Sequence, residues 1–246
     1  MGEVGTMRRF ILLSVIAVCG LMTAVSGQQS RAQLLAKLNS SDWSEALEQV
    51  RSDPVALSDP KIKTALIDLL ERDNREPVHG EEEGYAEDRS WLADTAAKVV
   101  DWSNPHQVCV LANSVALPDE LADHAKVAVP CLLRRLKYGI NRYAPGPDIS
   151  RGSVVAMLIQ SFAKGQDELD STTKNTIREI TLKALRGTDV GMKIETVKAL
   201  EKFGGEDMIP ALKIVAETDP NPSQHYAIRR WASEAITAIQ ARTPQH

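Results

Sequence analysis

The chain has 246 residues, a formal net charge of −4 and 25% charged side chains, ordinary values for a globular protein. It lacks the basic excess of a nucleic-acid binder, which excludes nucleic acid as a partner at the level of composition. Aromatic residues make up only 4%, and the apolar residues are chiefly Leu, Ile, Val and Ala, the types that fill contacts between helices rather than one dense aromatic core.

Arg8 and Arg9 precede the apolar run FILLSVIAVCGLMTAV, after which SGQQS turns polar. A positive start, a short apolar stretch and small residues beyond it predict an export signal over residues 1–27, cut near Ser26 or Gly27 with Ala24 or Val25 before the cut. The 16 residues of the run are fewer than the roughly 20 that a spanning helix needs. No later segment is apolar enough, so the expectation is an exported chain, periplasmic or secreted, with no stable membrane span. Cys19, in IAVC, resembles the lipidated cysteine of bacterial lipoproteins. Val18 precedes it where that motif takes Gly, Ala or Ser, and the apolar run continues past it, so Cys19 is read as part of the signal and not as an anchor.

Beyond residue 30 the apolar spacing is that of helices. DWSEALEQVRSD (42–53) pairs with DPKIKTALIDLLERDN (59–74), and DRSWLADTAAKVVDWSN (88–104) with HQVCVLANSVAL (106–117). Between these pairs lies EPVHGEEEGYAED (76–88), with Glu76, Glu81, Glu82, Glu83, Glu87 and Asp88 and no basic residue. An acidic loop of this kind is a solvated insertion or a recognition element. The alternating carboxylate pattern of a calcium loop is absent from it.

LLRRLKYGINRYAPGPDISR (132–151) is opposite in sign: Arg134, Arg135, Lys137, Arg142 and Arg151 face only Asp148, with Tyr138 and Tyr143 interleaved. This connection, 134–151, suits an anionic ligand or an acidic peptide, or else its cations complement helix-end carbonyls. RGSVVAMLIQSF and STTKNTIREITLKALRG follow as another helix pair, with Asp170 or Ser171 to cap the second helix and Gly187 to stop it.

In KIETVKALEKFGGEDMIPALKIV (193–215), Ile194, Val197 and Leu200 continue a stripe from Val190, and Asp189 can cap the helix. Gly204 and Gly205 are expected to end it through the left-handed conformation. A second helix places Ile209, Leu212, Val215 and Ala216 inward, with Pro210 in its first turn. VPCLLRRL (129–136) superposes on IPALKIVA (209–216), 80 residues later. In YAIRRWASEAITAIQAR, Arg229 stands to Ala235 and Ile236 as Lys193 stands to Ala199 and Leu200, an offset of 36 residues. Helix pairs recurring at such intervals indicate an α-solenoid.

This spacing, the basic residue six before an Ala-Leu or Ala-Ile pair and the proline opening the second helix resemble HEAT repeats, in particular the short bacterial, lyase-type HEAT-like repeat. The resemblance covers 119–241 best and 31–118 more weakly. It implies one all-α solenoid domain over 28–246 whose inner helices bind proteins or peptides without chemistry of their own. The alternatives are an accessory lyase-like protein that assists modification of a client, and a binder of an anionic ligand.

Catalytic signatures are missing: there is no H-E-x-x-H, G-x-S-x-G, Gly-rich phosphate loop or C-x-x-C. No cofactor is expected. Histidines 79, 106, 124, 225 and 246 are scattered. His106, Cys109, His124 and Cys131 can be drawn as a zinc set, but H-x6-C across a helix break is not a ligand spacing. With export, Cys109 and Cys131 are instead expected as a disulfide between repeats, or as two small buried thiols. Trp43, Trp91, Trp102 and Trp231 are expected mainly as packing between repeats. The expected partner-binding residues are Glu81, Glu82 and Glu83 on the acidic loop and Arg134, Arg135, Lys137 and Arg142 on the basic connection, and the two connections can meet on one face.

Overall fold

Helices begin where the sequence supplies an acceptor for orphan backbone amides. The Asp53 carboxylate accepts from Val55 N–H, the Asn104 side chain from His106 and Gln107, Asp170 from Thr173 and Asp189 from Met192. Pro54 and Pro105 follow such starts in the first turn, where a missing N–H costs nothing, and Pro210 stands in the first turn of its helix without a side-chain cap before it. The computed structural model describes residues 31–75, 85–138, 149–219 and 225–243. The chain is all-α, and no strand occurs among the described residues.

By contacts the chain divides into two compact units, Met1–Leu69 and Leu70–His246, where the sequence reading takes 28–246 as one domain. The first holds α1 (31–38), α2 (Trp43–Ser52), α3 (Pro54–Ser58) and most of α4 (Pro60–Asp73). Leu38, Leu47, Val50, Ile62 and Leu66 are buried in it. Lys37 on α1 bonds Glu45 on α2 at 2.7 Å, and Arg31 bonds Asp59 at 3.3 Å.

The second unit continues from the end of α4 with α5 (Tyr85–Ala97), α6 (Pro105–Ala112), the short α7 (Glu120–Asp123) and α8 (Ala125–Tyr138). It goes on through α9 (Ile149–Lys164), α10 (Ser171–Arg186), α11 (Val190–Phe203), a 3-10 turn at Glu206–Met208, α12 (Ile209–Thr218) and α13 (His225–Arg242). Here α11 packs between α9 and α13, while α10 lies against α9, α11 and α12, and α12 against α13. α6 packs on α8, and α8 on α9. One core cluster joins Val155, Ile159, Leu185, Val197, Leu200, Leu212, Ile228 and Ile239, so these helices bury their stripes on neighbours close in sequence.

Two details differ from the sequence reading. Gly204 does end α11, but in extended backbone at φ −68° and not in the left-handed region. A Cβ there would stand 2.5 Å from the Leu200 carbonyl oxygen and 2.9 Å from Ile239 Cδ1, so this glycine serves the close approach of α13 to the end of α11. Pro130 does not open a helix as Pro210 does. α8 starts at Ala125, and Pro130 is inside it at an exposed position, where it removes one hydrogen bond of the helix.

Candidate interaction surface

Buried cations tie one hairpin to the end of another. Arg89, on α5, pairs with Asp73, the last residue of α4, at 3.0 Å with both side chains buried. Arg135, on α8, donates to the carbonyls of Ala112 (2.7 Å) and Ser114 (2.8 Å), closing the C-terminus of α6. Lys193, on α11, reaches Asp219 just past α12, with Nζ 2.5 Å from Oδ2, and Arg229 on α13 donates to the Asp219 carbonyl at 3.1 Å. Lys193 and Arg229, matched in the sequence at an offset of 36, thus converge on one residue.

These positions correct one expectation. Arg135 is only 3% exposed and its guanidinium is committed to backbone carbonyls, so it supports the fold and does not face a partner. Arg134 and Lys137 are exposed on the last turns of α8, beside Tyr138, which is 70% exposed and over whose ring Lys137 Nζ lies at 5.1 Å. Arg142 lies outside the described residues, as do Glu81, Glu82, Glu83, the export signal and Cys19. Of the acidic segment, Tyr85 to Asp88 already belong to α5, where Glu87 and Asp88 occupy the first turn and favour its positive end.

Cys109 and Cys131 are joined by a disulfide, with Cα atoms 5.1 Å apart, linking α6 to the middle of α8. The four residues drawn as a zinc set are therefore otherwise engaged: His124 stacks on Trp102 at 4.0 Å between ring centroids, and His106 Nε2 is 3.4 Å from Glu71 Oε2. Among the described residues no group of three or more His, Cys, Asp or Glu side chains is placed to hold a metal ion. The tryptophans rim the core instead of filling it: all four are half-buried, and Trp231 packs on the main cluster with Lys198 Nζ 5.4 Å from its ring centroid.

Between α10 and α12 lies a groove that the residue pattern alone does not single out. A pocket of about 170 Å³ opens between Leu185 and Arg186 of α10 and Ala211, Ile214, Val215 and Thr218 of α12, with the Lys193–Asp219 pair at its wall. Ile214 is 54% exposed at its edge. A second, much smaller pocket of about 30 Å³ lies among Ile159, Phe162, Ile177, Phe203 and Met208, next to the Arg178–Asp207 ion pair, and has room for about one water.

No protein-family model, curated protein or solved structure matches the chain. Among the described residues no helix is long and apolar enough to cross a membrane.

Proposed function

We propose that the chain is an exported, non-catalytic scaffold: a short α-solenoid of HEAT-like hairpins that binds another protein or a peptide through the layer containing α10 and α12. The observation that carries this reading is the groove between those helices, apolar along one wall, with a solvent-exposed isoleucine and cations beside it. Helix pairs that pack on their neighbours in sequence, with α9, α11 and α13 in one row and α10 beside α12 in the other, are what a stacked repeat requires. A disulfide suits an oxidising compartment, in keeping with an export signal. The ionisable pairs described above are ion pairs and carbonyl contacts within the fold, in keeping with a role in packing.

The test is a photo-crosslinking residue placed at Ile214 of the chain expressed in its own host, with one at Ala241, exposed in the last turn of α13, as control. Capture of one dominant protein from the exported fraction at Ile214 and not at Ala241 is the expected result. Equal labelling at both positions, or a chain retained entirely in the cytoplasm, contradicts it.

A further inference from the structure

The pocket between α10 and α12 joins two chemistries within the room of a single aliphatic residue. Its volume is about 170 Å³, enough for several waters. One wall is apolar, from Leu185, Ala211, Ile214 and Val215. The other is cationic. Lys193 is 7% exposed, and of its three ammonium N–H groups one goes to Asp219, with no second hydrogen bond from that ammonium among the described residues. Arg186 is exposed at the mouth, with no ion pair among the described residues. Asp219 is the one carboxylate among the residues lining the pocket, and it already serves Lys193 through its side chain and Arg229 through its carbonyl. Positive charge therefore exceeds negative around a cavity that is itself half apolar, an arrangement suited to an anion carrying an aliphatic group.

In a polypeptide, one position carries a carboxylate and an aliphatic side chain on the same Cα: the C-terminal residue. An internal Asp or Glu brings its carboxylate on the side chain that the apolar wall would otherwise accept. Resting on the scaffold reading, we propose that this pocket captures the free C-terminus of a partner polypeptide ending in Val, Ile or Leu. The terminal carboxylate is held by Lys193 and Arg186, and the side chain lies against Leu185, Ala211 and Ile214. Capture of a terminal carboxylate is a recurring mode of peptide recognition and gives direction as well as affinity.

The probe is a set of fluorescein-labelled hexapeptides ending in Leu, Val or Ile as free acids, the same peptides as C-terminal amides, and amides carrying an internal glutamate. Binding to the purified exported chain is followed by anisotropy. The free acids bind saturably, and amidation weakens them about tenfold or more, the effect of losing a charge-assisted contact. Arg186→Gln and Ile214→Ser, both at exposed positions, each weaken the acids while helical circular dichroism and melting stay unchanged. Equal binding of acids and amides, no binding by any acid, or amides with internal glutamate binding as well as the acids each overturns the proposal. A client crosslinked at Ile214 through an internal segment would leave the scaffold standing and remove this site. Acids that bind where no client is captured would do the reverse.

Discussion

Lys193 Nζ stands 2.5 Å from Asp219 Oδ2 with both side chains buried, and this pair fixes where α12 ends against α11. A buried ion pair is weak evidence of net stability, because desolvation offsets its attraction, but removing one member leaves a buried charge without compensation. Asp219→Ala is expected to cost about 3–5 kcal/mol in chemical denaturation. Lys193→Met in the same background should return most of that loss. A double mutant as unstable as Asp219→Ala alone would mean that the loss does not come from the unpaired Lys193 charge, because the Asp219 carbonyl that Arg229 uses is present in both variants.

Arg134 and Arg135 are adjacent in sequence and opposite in fate, which makes them a matched pair. Arg135→Ala leaves the Ala112 and Ser114 carbonyls without their buried donor, and the penalty of unmet buried acceptors puts the loss at about 2–4 kcal/mol. Arg134→Ala, at an exposed site without such contacts, should stay within about 0.5 kcal/mol. Urea midpoints of the two variants at matched slope decide it, and equal midpoints would contradict the burial of Arg135.

Much of this was legible and some was hidden for definite reasons. Asp170 and Asp189 are short acceptors directly ahead of apolar-periodic runs, so the starts of α10 and α11 follow from local chemistry. The buried cations escape a reading that treats lysine and arginine as surface residues, yet their register betrays them. Lys193 is four before Val197 and seven before Leu200, and Arg135 is three after Leu132 and seven after Ala128, so each is in phase with a buried stripe. A charge in phase with the stripe needs a partner, and that partner comes from another helix, which periodicity cannot name. The α10–α12 groove was hidden more deeply, because it depends on which faces of two non-consecutive helices are left uncovered. The start of α8 was missed because Pro130 imitates Pro210, and only the extra helical residues before it tell them apart.

The disulfide between Cys109 and Cys131 closes a loop of modest length across α6, α7 and α8. Chain-entropy reasoning for such a loop gives about 3 kcal/mol of stabilisation. Replacing both cysteines by alanine, or adding reductant, should lower the melting temperature by several degrees for a chain of this size. A chain prepared without residues 1–27 should also show no free thiol to a thiol reagent until it is unfolded and reduced. Two titratable thiols in that native protein would contradict the bridge.

Asp170 gives a pH dependence whose sign can be worked out. Its carboxylate accepts from the Thr173 backbone N–H and hydroxyl, and these bonds hold its pKa below the ordinary carboxylate range. The folded pKa lies below the unfolded one, so the contribution is fully present above the unfolded value of about 4 and is lost as pH falls through the folded value. Asp170→Asn keeps an acceptor at the cap but removes the titration. Its stability should therefore decline less steeply than that of the parent below about pH 4, with little difference near neutrality. Parallel acid slopes for the two proteins would assign the titration elsewhere.

Gly204 is the sharpest steric prediction. Its backbone dihedrals are open to any residue, so conformational freedom gives no reason for a glycine there. The added methyl would meet the Leu200 carbonyl oxygen at 2.5 Å and Ile239 at 2.9 Å, and relief requires the end of α11 to move away from α13. The Arg242 guanidinium, which donates to the carbonyls of Glu201 (2.5 Å) and Gly204 (3.2 Å), would lose its geometry in that movement. Gly204→Ala is thus expected to destabilise by about 1–3 kcal/mol, the range for overpacking, whereas Gly191→Ala, with no contact closer than 3.6 Å, should be neutral or slightly stabilising. Trimming Ile239 to Val in the Gly204→Ala protein should recover part of the loss. If it recovers none, the clash with the Leu200 carbonyl dominates, and the glycine answers to its own helix end and not to the packing of α13.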